Sequence, residues 1–142
     1  MRTRILLILT FFAVINISAD IPFNSNPDLD YAQVQFVSIN ENPKNTWSFS
    51  VTIRHLDEGW NHYADLWIIT DPQSGNILGE RVLAHPHANE QPFTRSLSGV
   101  KLPAGQRYLE FSAKCTLHDF EGARILVDLE QQSGDNYRIT MK

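Results

Sequence analysis

The chain has 142 residues, 42% of them hydrophobic and 20% charged, with a formal charge of -4, which suits one domain with a core of its own. The acidic balance disfavours electrostatic binding to nucleic acid or anionic lipid. A single cysteine, Cys115, excludes an intramolecular disulfide.

In chain order, Arg2 and Arg4 precede an apolar run from Ile5 to Ile15 that ends in the small residues Ser18 and Ala19. This is the layout of a secretory signal peptide over residues 1–19, with the cut after Ala19. The run is too short for a membrane span of roughly 20 residues, so no membrane anchor is expected after cleavage, and the product is expected to be periplasmic or secreted. Loss of Arg2 and Arg4 leaves 10 basic against 16 acidic residues. Residues 20–31, rich in Pro, Asn and Asp, read as an extended lead-in, and residues 32–142 as the folded domain.

Within that domain, Trp47, Phe49, Val51 and Ile53 alternate with Ser48, Ser50, Thr52 and Arg54, the period of a half-buried strand. Leu109, Phe111, Ala113 and Cys115 do the same within Arg107 to Thr116. Weaker runs lie at Ala32 to Asn40, Tyr63 to Thr70, Ile77 to Leu83, Phe93 to Leu102 and Arg124 to Glu130, with a short last one at Tyr137 to Met141. Turn residues separate them at Glu41 to Asn45, Asp71 to Asn76 and Pro103 to Gly105. No mature segment carries a helical period. The pattern predicts an all-β, antiparallel, immunoglobulin-like β-sandwich of about seven strands.

Successive strands that reverse direction place successive connections at alternate ends. The second, fourth and sixth connections, Leu56 to His62, Ala84 to Pro92 and Leu117 to Ala123, then share one end, and all five histidines lie in or beside them. Neutral imidazole is a ligand for copper or zinc, and carboxylates can complete or orient such a site. The expected ligands are His62, His85, His87 and His118, with Asp65, Glu90 and Arg95 as supporting partners. His85-Pro86-His87 is the sharpest signal, because residues two apart in an extended segment point the same way and proline stiffens the link. His55 reads as a strand end. Cys115 offers a soft ligand beside His118, yet its inward parity reads as a small core residue. Trp60 fits either the core or the floor of a pocket. Arg95 fits a structural bridge to Glu90 or Asp65 better than an anion site.

The stretches Gly59-Trp60-x-His62-Tyr63-Ala64-Asp65 and His85-Pro86-His87-x-x-Glu90-Gln91-Pro92-Phe93-Thr94-Arg95 resemble a group of uncharacterised exported bacterial proteins of β-sandwich appearance. The similarity runs from about Ile53 to Leu129. It implies that His62, His85, His87, Glu90, Arg95 and His118 belong to the group's shared pattern, and it supplies no activity. The chain departs from that pattern at Lys114 and Cys115, where histidine and aspartate are expected.

Two functions fit these residues: binding of a transition metal, copper or zinc, through the loop histidines, or a non-metal module whose same loops engage a sugar, peptide or partner protein. Metal-assisted catalysis would use the same histidines. No Gly-x-Ser-x-Gly elbow or recognisable triad is present, and the pattern favours binding over catalysis.

Overall fold

The structure, a computed structural model, describes residues 25–142; the expected signal peptide lies outside the described residues. Nine strands form two sheets: β1 (Gln33–Asn42), β2 (Thr46–Arg54), β3 (Ala64–Thr70), β4 (Ile77–Val82), β5 (Phe93–Val100), β6 (Tyr108–Cys115), β7 (Ile125–Asp128), β8 (Ser133–Gly134) and β9 (Tyr137–Thr140). The first sheet has the order β5-β2-β1-β9-β8 and the second β4-β3-β6-β7. All pairings are antiparallel except β1 with β9. The sandwich is the expected one, with two strands more than the seven main runs: β9 falls on the short last run, and β8 is a two-residue strand with no alternation to announce it.

Alternation explains the core. Phe49, Val51 and Ile53 of β2 are fully buried, as are Leu109 and Phe111 of β6, while Ser50 and Thr52 turn outward to bond Ser96 and Thr94 across the pair at 2.8 Å each. Phe49 and Phe111 close the two layers on each other with ring centroids 5.5 Å apart. Trp67 of β3 is buried beside them, whereas Trp60 is 68% exposed and meets only the edge of Tyr63 among aromatic rings, so it is neither core nor pocket floor.

Strand reversal holds throughout the first seven strands, so the β2–β3, β4–β5 and β6–β7 connections meet at one end. The Thr116 N–H donates to the Tyr63 carbonyl at 3.0 Å, joining two of them. The lead-in crosses this same end: the Leu56 N–H donates to the Leu29 carbonyl at 2.9 Å and the Asn26 N–H to the Glu121 carbonyl at 3.0 Å. The Gln33 side chain holds it from below, donating to the carbonyls of Asn26, Asp28 and Tyr31 at 2.7–3.0 Å. Gly122 permits the crossing, since a Cβ there would stand 1.9 Å from the Ala32 carbonyl oxygen.

Candidate metal centre

At the lead-in end, the five imidazoles fall into two groups of ring contacts. His85 and His87 have ring centroids 4.5 Å apart, His55 and His62 4.8 Å, and His62 and His118 5.4 Å. Asp57 joins the first pair to the rest. Its Oδ1 lies 2.6 Å from His55 Nδ1, its Oδ2 accepts the His87 N–H at 2.6 Å, and Oδ1 also accepts the Ala64 N–H at 3.0 Å. Burial works to raise the Asp57 carboxyl, but these hydrogen bonds and the proximity of His55 hold it below the usual carboxylate range.

The densest part of the end gathers on one backbone atom. Around the Asp30 carbonyl oxygen lie His55 Nε2 at 3.0 Å, His118 Nδ1 at 3.0 Å, His62 Nε2 at 3.3 Å and Cys115 Sγ at 3.5 Å. Cys115 Sγ is in turn 3.5 Å from His62 Nε2 and 3.3 Å from His118 Nδ1. The ligand atoms of His55, His62 and Cys115 all fall within 4.8 Å of one another.

Local sequence builds this arrangement. Cys115 is the last inward position of β6, buried and free, and the Cys115 N–H bonds the His118 carbonyl at 3.3 Å, so the tight turn after the strand folds His118 back over the thiol. Tyr31 packs on the His118 ring at 4.6 Å. On the other side Gly59, at φ 116°, closes a narrow loop in which the His62 N–H meets the Gly59 carbonyl at 3.2 Å and the Glu58 N–H meets the His62 carbonyl at 2.8 Å. His55 and His62 each turn Nδ1 toward a carboxylate, Asp57 at 2.6 Å and Glu58 at 3.6 Å, and Nε2 toward Asp30. A carboxylate behind Nδ1 fixes the ring and leaves Nε2 as the ligand atom. A second, more open grouping, Asp30, Glu58 and His62, shares the His62 ring.

His85 and His87 stand apart from this cluster. His87 is buried and stacked on Phe93 at 4.0 Å and 9°, while His85 is exposed with Nδ1 3.0 Å from the Pro86 carbonyl. Neither ring nitrogen of His87 meets a hydrogen-bond partner. Burial, then the nearby Arg95 and His85, hold the His87 imidazole below its usual range, so it stays neutral to lower pH. Among the described residues, no group of three or more potential ligands includes either ring.

The expected supporting residues have other work. Asp65 holds Lys114, both carboxylate oxygens lying 3.0 Å from Nζ. Arg95 pairs with the exposed Glu90 at 3.3 Å and lies over the Phe93 ring at 5.6 Å. Sequence reasoning passes over His55, sets Cys115 aside as core, and has no means of finding the Asp30 carbonyl. The available signal is the Cys115-x-x-His118 spacing, which puts a thiol and an imidazole on one turn.

A protein of Halomicrobium mukohataei described as "Putative lipoprotein" is 34% identical over 112 residues, 79% of this chain and 54% of its own length. The chain thus spans about half the length of the curated relative it matches. No family model and no solved structure matches the chain.

Proposed function

We propose that this is an exported, small β-sandwich protein that binds a transition metal, copper or zinc, at the lead-in end of the fold. One observation carries the reading: three imidazole nitrogens and one thiol crowd around a single carbonyl oxygen within 3.0–3.5 Å. A carbonyl has two lone pairs, so four hydrogen-bonding partners are more than it can satisfy. Imidazole and thiolate together are the donor set that zinc and copper select over calcium or magnesium. Export is supported by the basic and apolar N-terminus and by a relative whose name is that of a lipoprotein.

The experiment is elemental analysis of the protein purified without an affinity tag from the cell envelope or medium. Near-stoichiometric copper or zinc is the expected result. Metal-free protein whose stability is unchanged by either ion would defeat the reading. It would favour the second one, a non-metal module engaging a partner, for which the support is the exposed apolar trio Leu56, Trp60 and Leu117 on the same loops.

A further inference from the structure

With metal binding at the lead-in end as the premise, the spacing of the donors selects which of them share an ion. Among the described residues, one group joins a thiol to two imidazoles: the ligand atoms of His55, His62 and Cys115 lie within 4.8 Å of one another, and Cys115 Sγ is 3.5 Å from His62 Nε2. A point equidistant from three atoms so spaced lies within about 2.6 Å of each, so metal–nitrogen and metal–sulfur bonds of about 2.0–2.3 Å ask each side chain to close in by about half an ångström. All three residues are buried. His118 belongs to no such group.

His55 supplies an independent reason for an ion. The Asp57 carboxylate, an acceptor, lies 2.6 Å from His55 Nδ1 and takes the proton of that nitrogen, which in a neutral ring leaves a lone pair on Nε2. That lone pair faces a second acceptor, the Asp30 carbonyl oxygen, at 3.0 Å. Two acceptors do not bond each other, and a cation beside them satisfies both. The same oxygen stands 3.3 Å from His62 Nε2 and 3.5 Å from Cys115 Sγ. Being farther from all three donors than the point central to them, it caps their triangle from one side.

We infer that His55, His62 and Cys115 are the three ligands of one copper centre, with the Asp30 carbonyl oxygen as a weak fourth on its axis and His118 outside it. Two imidazoles and a thiolate in a plane, with a backbone oxygen on the axis, are a donor set that copper accepts. A structural zinc closes four strong donors around itself, and a catalytic zinc keeps one side open to water. Here the donors are buried and the fourth side is covered by the lead-in. Zinc(II) enters the same three donors, and copper(II) is held more tightly. His118 serves the sulfur from outside, its backbone N–H donating to Cys115 Sγ at 3.3 Å while its Nδ1 lies 3.0 Å from the Asp30 carbonyl oxygen. The proton leaving the Cys115 thiol is released to solvent as the copper–sulfur bond forms.

Zinc(II) and copper(II) read the ligands separately on the full, unmutated exported protein. With zinc bound, the imidazole nitrogen resonances of His55 and His62 shift as coordinated nitrogens do in long-range proton–nitrogen spectra, and those of His85, His87 and His118 move far less. With copper(II), loaded anaerobically, an intense visible thiolate-to-copper band appears, and one equivalent of copper(II) displaces the zinc. The band survives in His118→Ala and vanishes in Cys115→Ser. The nitrogen spectra and the displacement need no variant, so one that folds poorly leaves the test intact. Metal bound with the His118 nitrogens shifted and those of His55 unmoved overturns this ligand set while leaving metal binding standing. Copper bound without the thiolate band, or zinc that copper(II) fails to displace, does the same. No uptake of either ion removes the metal reading itself, and the centre with it.

Discussion

The two ends of the sandwich are made by the same strand reversals and held by different means. At the end without histidines, the turns are held largely by their own residues, with Gln106 reaching Asp71 from the neighbouring turn. Asp71 accepts the Gln73 N–H at 3.0 Å and the Ser74 hydroxyl at 2.8 Å, and Gly75 and Gly105 supply positive φ where the chain reverses. At the other end the loops, beyond their own turns, are tied to one another through Asp57, Asp30 and Cys115, with His55, His62 and His87 buried. Local turns are solved within four residues. Long-range polar networks constrain residues far apart in the chain, and a fold tolerates them where they serve something beyond folding.

The largest expected contrast is between the two aspartates. Asp57→Ala strands the buried His55 ring and the N–H groups of Ala64 and His87, and should cost about 3 kcal/mol or more. Asp71→Ala, on the surface, should move the urea midpoint far less. Because the folded Asp57 carboxyl is depressed, its contribution is complete above the ordinary carboxylate value near 4 and is lost as the pH falls through the lower, folded value. Asp57→Asn should flatten that part of the acid-stability curve. Equal losses for the two alanine variants would erase the distinction between the ends.

A metal should act at one end only. Zinc(II) at a hundredfold excess over its dissociation constant raises stability by about 2.7 kcal/mol, and the gain should fade with added acid because the donors must be free of protons to bind. Denaturation with and without zinc checks this. Asp71→Ala should retain the whole gain and His62→Ala/His118→Ala lose it.

What the sequence could reveal divides along the same line. Side-chain parity exposes β2 and β6, because apolar residues must alternate to meet a core, and it exposes the shared end of the histidine loops, because strand reversal needs only counting. It is silent on β8, where Ser133 and Gly134 carry no pattern, and on Asp30, whose contribution is a carbonyl that every residue owns. It reads Cys115 as buried, as the structure has it, but parity does not tell that this last inward position of β6 also lies at the rim, beside His62 and His118. Asp65 is drawn toward the site by proximity in sequence, whereas its carboxylate is taken by Lys114 on the neighbouring strand, 49 residues away.

Cys115→Ser sharpens the comparison at smaller amplitude. The thiol is 2% exposed at the residue level and lies among the Asp30 carbonyl, His62 and His118, so the smaller hydroxyl loosens those contacts and should cost about 1–2 kcal/mol. Native Cys115 should resist thiol reagents until the protein is unfolded, and zinc should slow the reaction further. Rapid labelling of the native protein would mean that the loop end is open.

The smallest effect distinguishes the two histidine groups within the one end. His87 buries an imidazole whose two nitrogens have no hydrogen-bond partner, stacked on Phe93, so the ring contributes apolar contact while bearing the cost of desolvating polar atoms. His87→Leu keeps much of the contact and removes that cost, and should change stability by less than about 1 kcal/mol, in either direction. His55→Leu, by contrast, strands the buried Asp57 carboxylate and should be several times more damaging. Chemical denaturation of both variants, each with and without zinc, is the measurement. A large loss for His87→Leu that appears only when zinc is present would move the His85–His87 pair into the metal site. A small loss under both conditions leaves that pair outside it.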